Sequence, residues 1–253
     1  VDVDAVPLGS RRDIERGASF LVTGGLAAVH ADSRRRESIW AGFQSREVYA
    51  TSGDRILLWF DLLNGPDGRA PMGQIVRGQS EVPRFRVSAA GAFRQKPGCP
   101  AFVEHALGPE RLEALCLGEC YNPSDERRSI EQIEVVRIRP QSHPGEPLGR
   151  RIEDPWKVLP CDDAGQGCQV EFEDPDFRTS GAATPASEEM VYYVRAIQEA
   201  SPAVNAGGFR CEFDAAGNCI EINPCYGDDR TAPTDDCLAD HKERAWSSPI
   251  YLQ

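Results

Sequence analysis

The 253-residue chain carries a formal net charge of −12 at pH 7 and a sequence pI of about 4.9. That balance makes nucleic acid and anionic membranes poor partners, because binding phosphates needs a basic face. No apolar run approaches the ~18 residues of a membrane-spanning helix. The length allows one large domain or two smaller ones around a substantial core, and 23 Gly with 19 Pro predict many turns and short elements.

The N-terminal "VDVDAVPLGS" has no basic or apolar region of a signal peptide and reads as a chain that starts in mid-protein. Residues 1–32 carry little pattern beyond "SFLVTGGLAAVH", and Gly24-Gly25 does not fit a phosphate-binding loop. A helix is predicted from Ser33 to about Arg46, capped by Asp32 or Ser33, with Ile39, Trp40 and Phe43 recurring at helical spacing. Gly53 permits a turn into the strongest strand, Arg55–Leu63, whose run Ile56-Leu57-Leu58-Trp59-Phe60 predicts burial on both faces.

After the turn-rich "NGPDGRAPMG", Glu81–Ala89 alternates, with Val82, Phe85 and Val87 as its apolar members. Pro109–Cys116 reads as a short helix with Leu112 and Leu115 inward. Ile130–Arg139 alternates, and the phase break at Val135-Val136 predicts a bulge there. Gln169–Glu173, Met190–Ile197 and Ile250–Leu252 are further strands, and Phe209–Ile222 is a hairpin turning at Ala215-Ala216-Gly217. The expected fold is mainly β: a sandwich-like domain over residues 54–253 with long, disulfide-pinned loops, preceded over residues 1–53 by a small α/β segment.

The nine cysteines form three local groups: Cys99, Cys116 and Cys120; Cys161 and Cys168; and Cys211, Cys219, Cys225 and Cys237. "CDDAGQGC" reads as a loop closed by its own disulfide, and "FRCEFDAAGNCIEIN" sets Cys211 and Cys219 on adjacent strands. Zinc is the rival reading, but only Cys116 and Cys120 have zinc-like spacing. Disulfides place the chain in the periplasm or outside the cell, and the odd count leaves one thiol over.

The four histidines, His30, His105, His143 and His241, form no metal-binding motif, so this chain is expected to hold no catalytic metal of its own. No G-x-S-x-G elbow is present. Thr51 and Ser52 in "YATSGDR" read either as reactive hydroxyls, with His30 able to activate Ser52, or as residues that hydrogen-bond the backbone at the turn. Asp228, Asp229, Asp235 and Asp236 offer oxygen ligands for calcium, and "DAAGN" is a second acidic loop, but neither follows the EF-hand order. Trp40, Trp59, Trp156 and Trp246 lie far apart in sequence and read as packing residues.

"GGLAAVHADSRRRESIWAGFQSREVYATSGDRI" resembles the segment that closes the catalytic domain in the bacterial family called domain of unknown function 3604. "EFEDPDF", "YYVRAIQE", "NPCYGDDRTAPTDDC" and "ERAWSSPI" resemble its C-terminal signatures. The resemblance implies relatives of PHP-type (polymerase and histidinol phosphatase) metal-dependent hydrolases, with a distorted barrel whose His and Asp motifs lie upstream of anything present here. It implies that residues 1–53 are the end of that barrel and that the divalent metal belongs to a missing N-terminal half. That half is the expected partner, from the same precursor or a companion chain, and the substrate class is a phosphoester or related ester. At a barrel exit, Arg46, Tyr49, Thr51 and Ser52 would border the substrate, with Arg46 holding an anion. The alternative is an extracellular β-sandwich that binds a glycan or protein, stabilised by calcium.

Overall fold

The computed structural model describes residues 24–116, 120–141, 143–162, 165–177, 189–204, 211–222 and 238–253. The chain is mainly β, built from several sheets without a closed barrel. It opens with β1 (Leu26–Val29), helix α1 (Arg36–Gln44) and β2 (Val48–Thr51). There follow β3 (Leu57–Gly65), β4 (Gly68–Pro71), β5 (Ile75–Val76), β6 (Arg84–Ala90) and β7 (Phe93–Gln95). Two short helices, α2 (Ala101–Leu107) and α3 (Pro109–Cys116), precede β8 (Pro123–Arg127) and β9 (Ile130–Ile138). The rest is β10 (Ile152–Pro160), β11 (Cys168–Glu173), β12 (Met190–Val204), β13 (Cys211–Phe213), β14 (Cys219–Ile222), β15 (Leu238–Ser247) and β16 (Ile250–Leu252).

The larger sheet runs β1-β2-β15-β12-β9-β10, with β16 pairing the start of β12 and β5 lying parallel to β16. The smaller sheet runs β11-β6-β3-β4. Their inner faces form one core. Leu58, Phe60 and Leu62 of β3 and Phe85 and Val87 of β6 meet Ile133 and Val135 of β9 and Tyr192, Val194 and Ala196 of β12. Phe85 stands 5.0 Å from Phe172 and 4.8 Å from Tyr192, ring centre to ring centre, so an aromatic stack bridges the sheets. Each such side chain contributes about 1.5–3 kcal/mol on burial, an amount that sandwich packing realises only when both sheets are present.

The alternation in β6 is seen as expected, with Phe85, Val87 and Ala89 inward, although Val82 lies before the strand and is exposed. β3 departs from expectation. Trp59 is 39% exposed and only one face is core, because the second sheet covers just one side of β3. A break in register does fall at the expected place, on the β10 side, where Glu153 faces Arg137 and Lys157 faces Val135. Against β12, β9 stays in register from Gln132 to Ile138, and a second irregularity falls where Ile197 and Gln198 face Gln132 and Ile130. Consequently Arg137, in phase with Ile133 and Val135, points into the sandwich.

Helix α1 starts later than predicted, and neither Asp32 nor Ser33 caps it; Ser33 hydrogen-bonds the Ser38 hydroxyl instead (2.8 Å). Its buried residue is Gly42, not the aromatics. A Cβ at Gly42 would sit 2.4 Å from the His30 carbonyl oxygen, so the helix approaches β1 through its bare backbone. Trp40 and Phe43 are left 63% and 47% exposed. In α3, Leu112 is buried as expected.

Three disulfides pin the loops: Cys99–Cys120, Cys161–Cys168 and Cys211–Cys219. Cys120 therefore pairs with the distant Cys99 rather than forming a zinc pair with Cys116. Cys225, Cys237 and the Cys116 side chain lie outside the described parts, as do Asp228, Asp229, Asp235 and Asp236. Three disulfides agree with an extracellular or periplasmic location. Among the described residues, no helix is long and apolar enough to cross a membrane.

Candidate functional site

The stretch Arg46–Arg55 carries the chain from the larger sheet into the smaller one, and each residue singled out there has an internal partner or a buried place. Arg46 adopts the left-handed region (φ 60°), and its Nε donates to the Gly73 carbonyl at 2.8 Å. The two backbones nearly touch: a Cβ at Gly73, itself at φ 89°, would lie 2.3 Å from the Arg46 carbonyl oxygen. Tyr49 is buried, with its ring 5.4 Å from His30. Burial pushes the Tyr49 hydroxyl pKa up, against a smaller lowering from its hydrogen bond with the Leu58 backbone.

His30 Nε2 is 2.9 Å from the Leu58 carbonyl oxygen. Tyr49 and His30 thus occupy backbone groups of Leu58 on the side of β3 away from β6, where β4 does not reach. This is how the sandwich seals an otherwise open strand edge. His30 is not joined to Ser52 by any hydrogen bond.

Thr51 is buried, and its hydroxyl has no hydrogen-bond partner among the described residues. Ser52 is tied into β15: its hydroxyl donates to Glu243 and accepts from the Arg244 N–H at 2.8 Å, while its own N–H reaches the Arg244 carbonyl at 2.9 Å. The Thr-Ser-Gly turn is therefore a load-sharing connection between strands. Neither of the two depressions described below is lined by Arg46, Tyr49, Thr51 or Ser52.

The residues just after them do line one. Asp54 and Arg55, with Leu26, Gly53, Ala92, Gln95, Cys120 and Tyr121, border an open cleft of about 360 Å³. Asp54 accepts a hydrogen bond from Gln198 Nε2 (2.6 Å) and lies 3.7 Å from Arg128 Nε. Arg55 lays its guanidinium over the Tyr121 ring, 3.8 Å from the centroid. No local pattern marks this pair, because Tyr121 arrives from a separate loop held by Cys99–Cys120.

A second depression of about 690 Å³ lies along α1, lined by Arg34, Arg36, Glu37, Ile39, Trp40 and Phe43. It is apolar at its centre and arginine-rimmed.

Among the described residues the most buried charged group is Asp174, fully enclosed in the "EFEDPDF" turn after β11. It accepts two contacts from Arg137 Nη1 (2.8 and 2.9 Å), one from the Tyr192 hydroxyl (2.6 Å) and one from the Asp176 N–H (3.0 Å). Arg137 also forks onto Glu153 (3.0 and 2.9 Å) and stacks on Trp156. Burial works against the Arg137 charge, but hydrogen bonds to Glu153 and Asp174 outweigh it and raise its pKa. Burial, reinforced by the bond to Asp174, drives the Tyr192 hydroxyl far above its ordinary range. This network clamps one sheet to the other, with Asp174 and Arg137 buried at its centre and Glu153 and Asp176 reaching solvent at its edge.

The acidic hairpin loop is exposed, and its hydrogen bonds close on itself. Asp214 accepts hydrogen bonds from the Asn218 side chain and backbone and from the Ala216 N–H, which hold its carboxyl below the usual range. Among the described residues, no group of three or more His, Cys, Asp or Glu is placed to hold a metal ion.

Fold and cleft together define a disulfide-pinned β-sandwich with an open, mixed polar and apolar cleft at its α/β entry. Over residues 8–62 the chain matches the family described as Protein of unknown function (DUF3604), in line with the resemblance carried by "GGLAAVHADSRRRESIWAGFQSREVYATSGDRI". That match covers β1, α1, β2 and most of β3. No curated protein and no solved structure matches the chain.

Proposed function

We propose that this chain is the accessory, C-terminal portion of a secreted or periplasmic PHP-like metal-dependent hydrolase acting on a phosphoester or related ester. In this reading a metal-bearing half docks against the arginine-rimmed aromatic face of α1. The observation that carries it is the exposure of Trp40 and Phe43 on a helix whose buried contact is made by Gly42 alone, inside the stretch that matches the family. Large exposed aromatics gathered on one face mark a surface that meets other protein. No catalytic step is assigned to the described residues, among which no group of three or more His, Cys, Asp or Glu is placed to hold a metal ion.

The test uses two proteins: this chain alone and a longer polypeptide that adds the upstream half. Hydrolysis of p-nitrophenyl phosphate with Mn2+ is expected only from the longer one. Trp40→Glu with Phe43→Glu should lower that activity while leaving the melting temperature of the isolated chain unchanged. Strong metal-dependent turnover by the isolated chain would refute the division of labour.

A further inference from the structure

We propose that Arg55 and Tyr121 form an anion subsite and that the cleft they border takes a small carboxylate carrying an apolar flank. This does not rest on the docking reading, which concerns a different surface.

The first ground is an arginine with its donors free. In this acidic chain the arginines along the two sheets are largely paired with carboxylates, as in Arg69–Asp61, Arg86–Glu171, Arg94–Glu199 and Arg195–Glu134. Arg55 is exposed and has no carboxylate partner among the described residues. Among the described residues, its guanidinium rests on the Tyr121 ring. Stacking uses the flat face of a guanidinium and leaves the in-plane N–H fork available, the geometry that grips a carboxylate with two parallel hydrogen bonds.

Preorganisation is the second ground. Both neighbours of Tyr121 are fixed: Cys120 by its disulfide to Cys99, and Asn122 by hydrogen bonds through its N–H to Gln95 Oε1 (3.0 Å), its Nδ2 to the Pro97 carbonyl (3.1 Å) and its carbonyl from the Lys96 N–H (2.7 Å). Arg55 is fixed from its own side, between Asp54, bound to Gln198, and the fully buried Ile56. A ligand therefore meets a platform that does not have to be ordered first.

Ligand class follows from the neighbours. Leu26 and Ala92 supply apolar wall, and the cleft volume of about 360 Å³ sits at the small end of ligand pockets. Asp54 faces the same space, offset by Gln198 and Arg128, and Glu243 lies beside Gly53, engaged by Ser52. Two nearby carboxylates around one free guanidinium disfavour a phosphate dianion and leave room for a single negative charge.

Calorimetric titration of the oxidised chain with benzoate, glucuronate, their neutral counterparts benzamide and glucose, and inorganic phosphate tests this. Saturable binding of benzoate or glucuronate is expected, at least tenfold tighter than its neutral counterpart, tighter than phosphate, and weakened by salt. Whichever acid binds tells an aromatic from a sugar flank. Arg55→Ala should weaken binding about tenfold or more and Arg55→Lys by less, since charge survives without the fork. Tyr121→Leu should weaken it too, and all three variants should melt with the parent protein. The proposal is overturned if neither acid saturates up to about 10 mM, if the neutral compounds or phosphate bind as well, or if Arg55→Ala binds unchanged.

Discussion

Asp174→Ala tests the clamp between the two sheets most directly. The carboxylate receives two contacts from Arg137 Nη1, one from the Tyr192 hydroxyl and one from the Asp176 N–H, and it is wholly buried. Removing it leaves the buried Arg137 with Glu153 at 2.9 Å and the exposed Asp176 at 4.0 Å, and strands the Tyr192 hydroxyl inside the core. Breaking one side of a buried pair costs about 3–5 kcal/mol. With a urea slope of about 2–3 kcal/mol/M, the unfolding midpoint should fall by roughly 1–2 M while the slope stays put. The control is Glu171→Ala, which removes the exposed partner of Arg86 and should cost about 0–1 kcal/mol. Replacing the pair together, Arg137→Met with Asp174→Leu, should recover much of the loss, because two apolar groups need no partner. A loss under about 1 kcal/mol for Asp174→Ala, or a double variant no better than the single one, would refute the reasoning.

Other outcomes follow from the same geometry. Tyr49 and Tyr192 have folded-state pKa values raised above the ordinary tyrosine value, first of all by burial. Their stabilising effect is complete below about pH 10 and is lost as pH rises from there toward the folded values, by up to about 1.4 kcal/mol per pH unit for each. Tyr192→Phe should flatten that alkaline slope in denaturant titrations above pH 10. Gly42→Ala, normally favourable in a helix, should instead destabilise by about 1–3 kcal/mol in thermal melts, because the added carbon meets the His30 carbonyl at 2.4 Å. Peptide mapping without reduction should recover Cys99 joined to Cys120, not Cys116 to Cys120. Acrylamide should quench a fluorescence component absent from Trp40→Phe, because Trp40 is 63% exposed in the isolated chain.

Local chemistry made much of the fold legible. The alternation in β6 and β9, the short loop between Cys161 and Cys168, and the hairpin joining Cys211 to Cys219 each depend on residues within about one turn or one strand of each other. The site was far less legible. Nothing in Thr51-Ser52-Gly53 marks Ser52 as a partner of β15, which lies far along the chain. The cleft belongs to Asp54 and Arg55, whose partners Gln198 and Tyr121 come from distant segments.

Sequence alone determined that this is an acidic, disulfide-bearing, strand-rich chain whose early segment resembles one bacterial family, because composition, periodicity and motif are properties of neighbours. Only the tertiary structure decided that Trp59 of β3 is exposed, that Arg137 turns inward to Asp174, and that Arg55 comes to rest on Tyr121. Those outcomes depend on which strands pair and in what register, and a side chain's surroundings are fixed by segments far away along the chain.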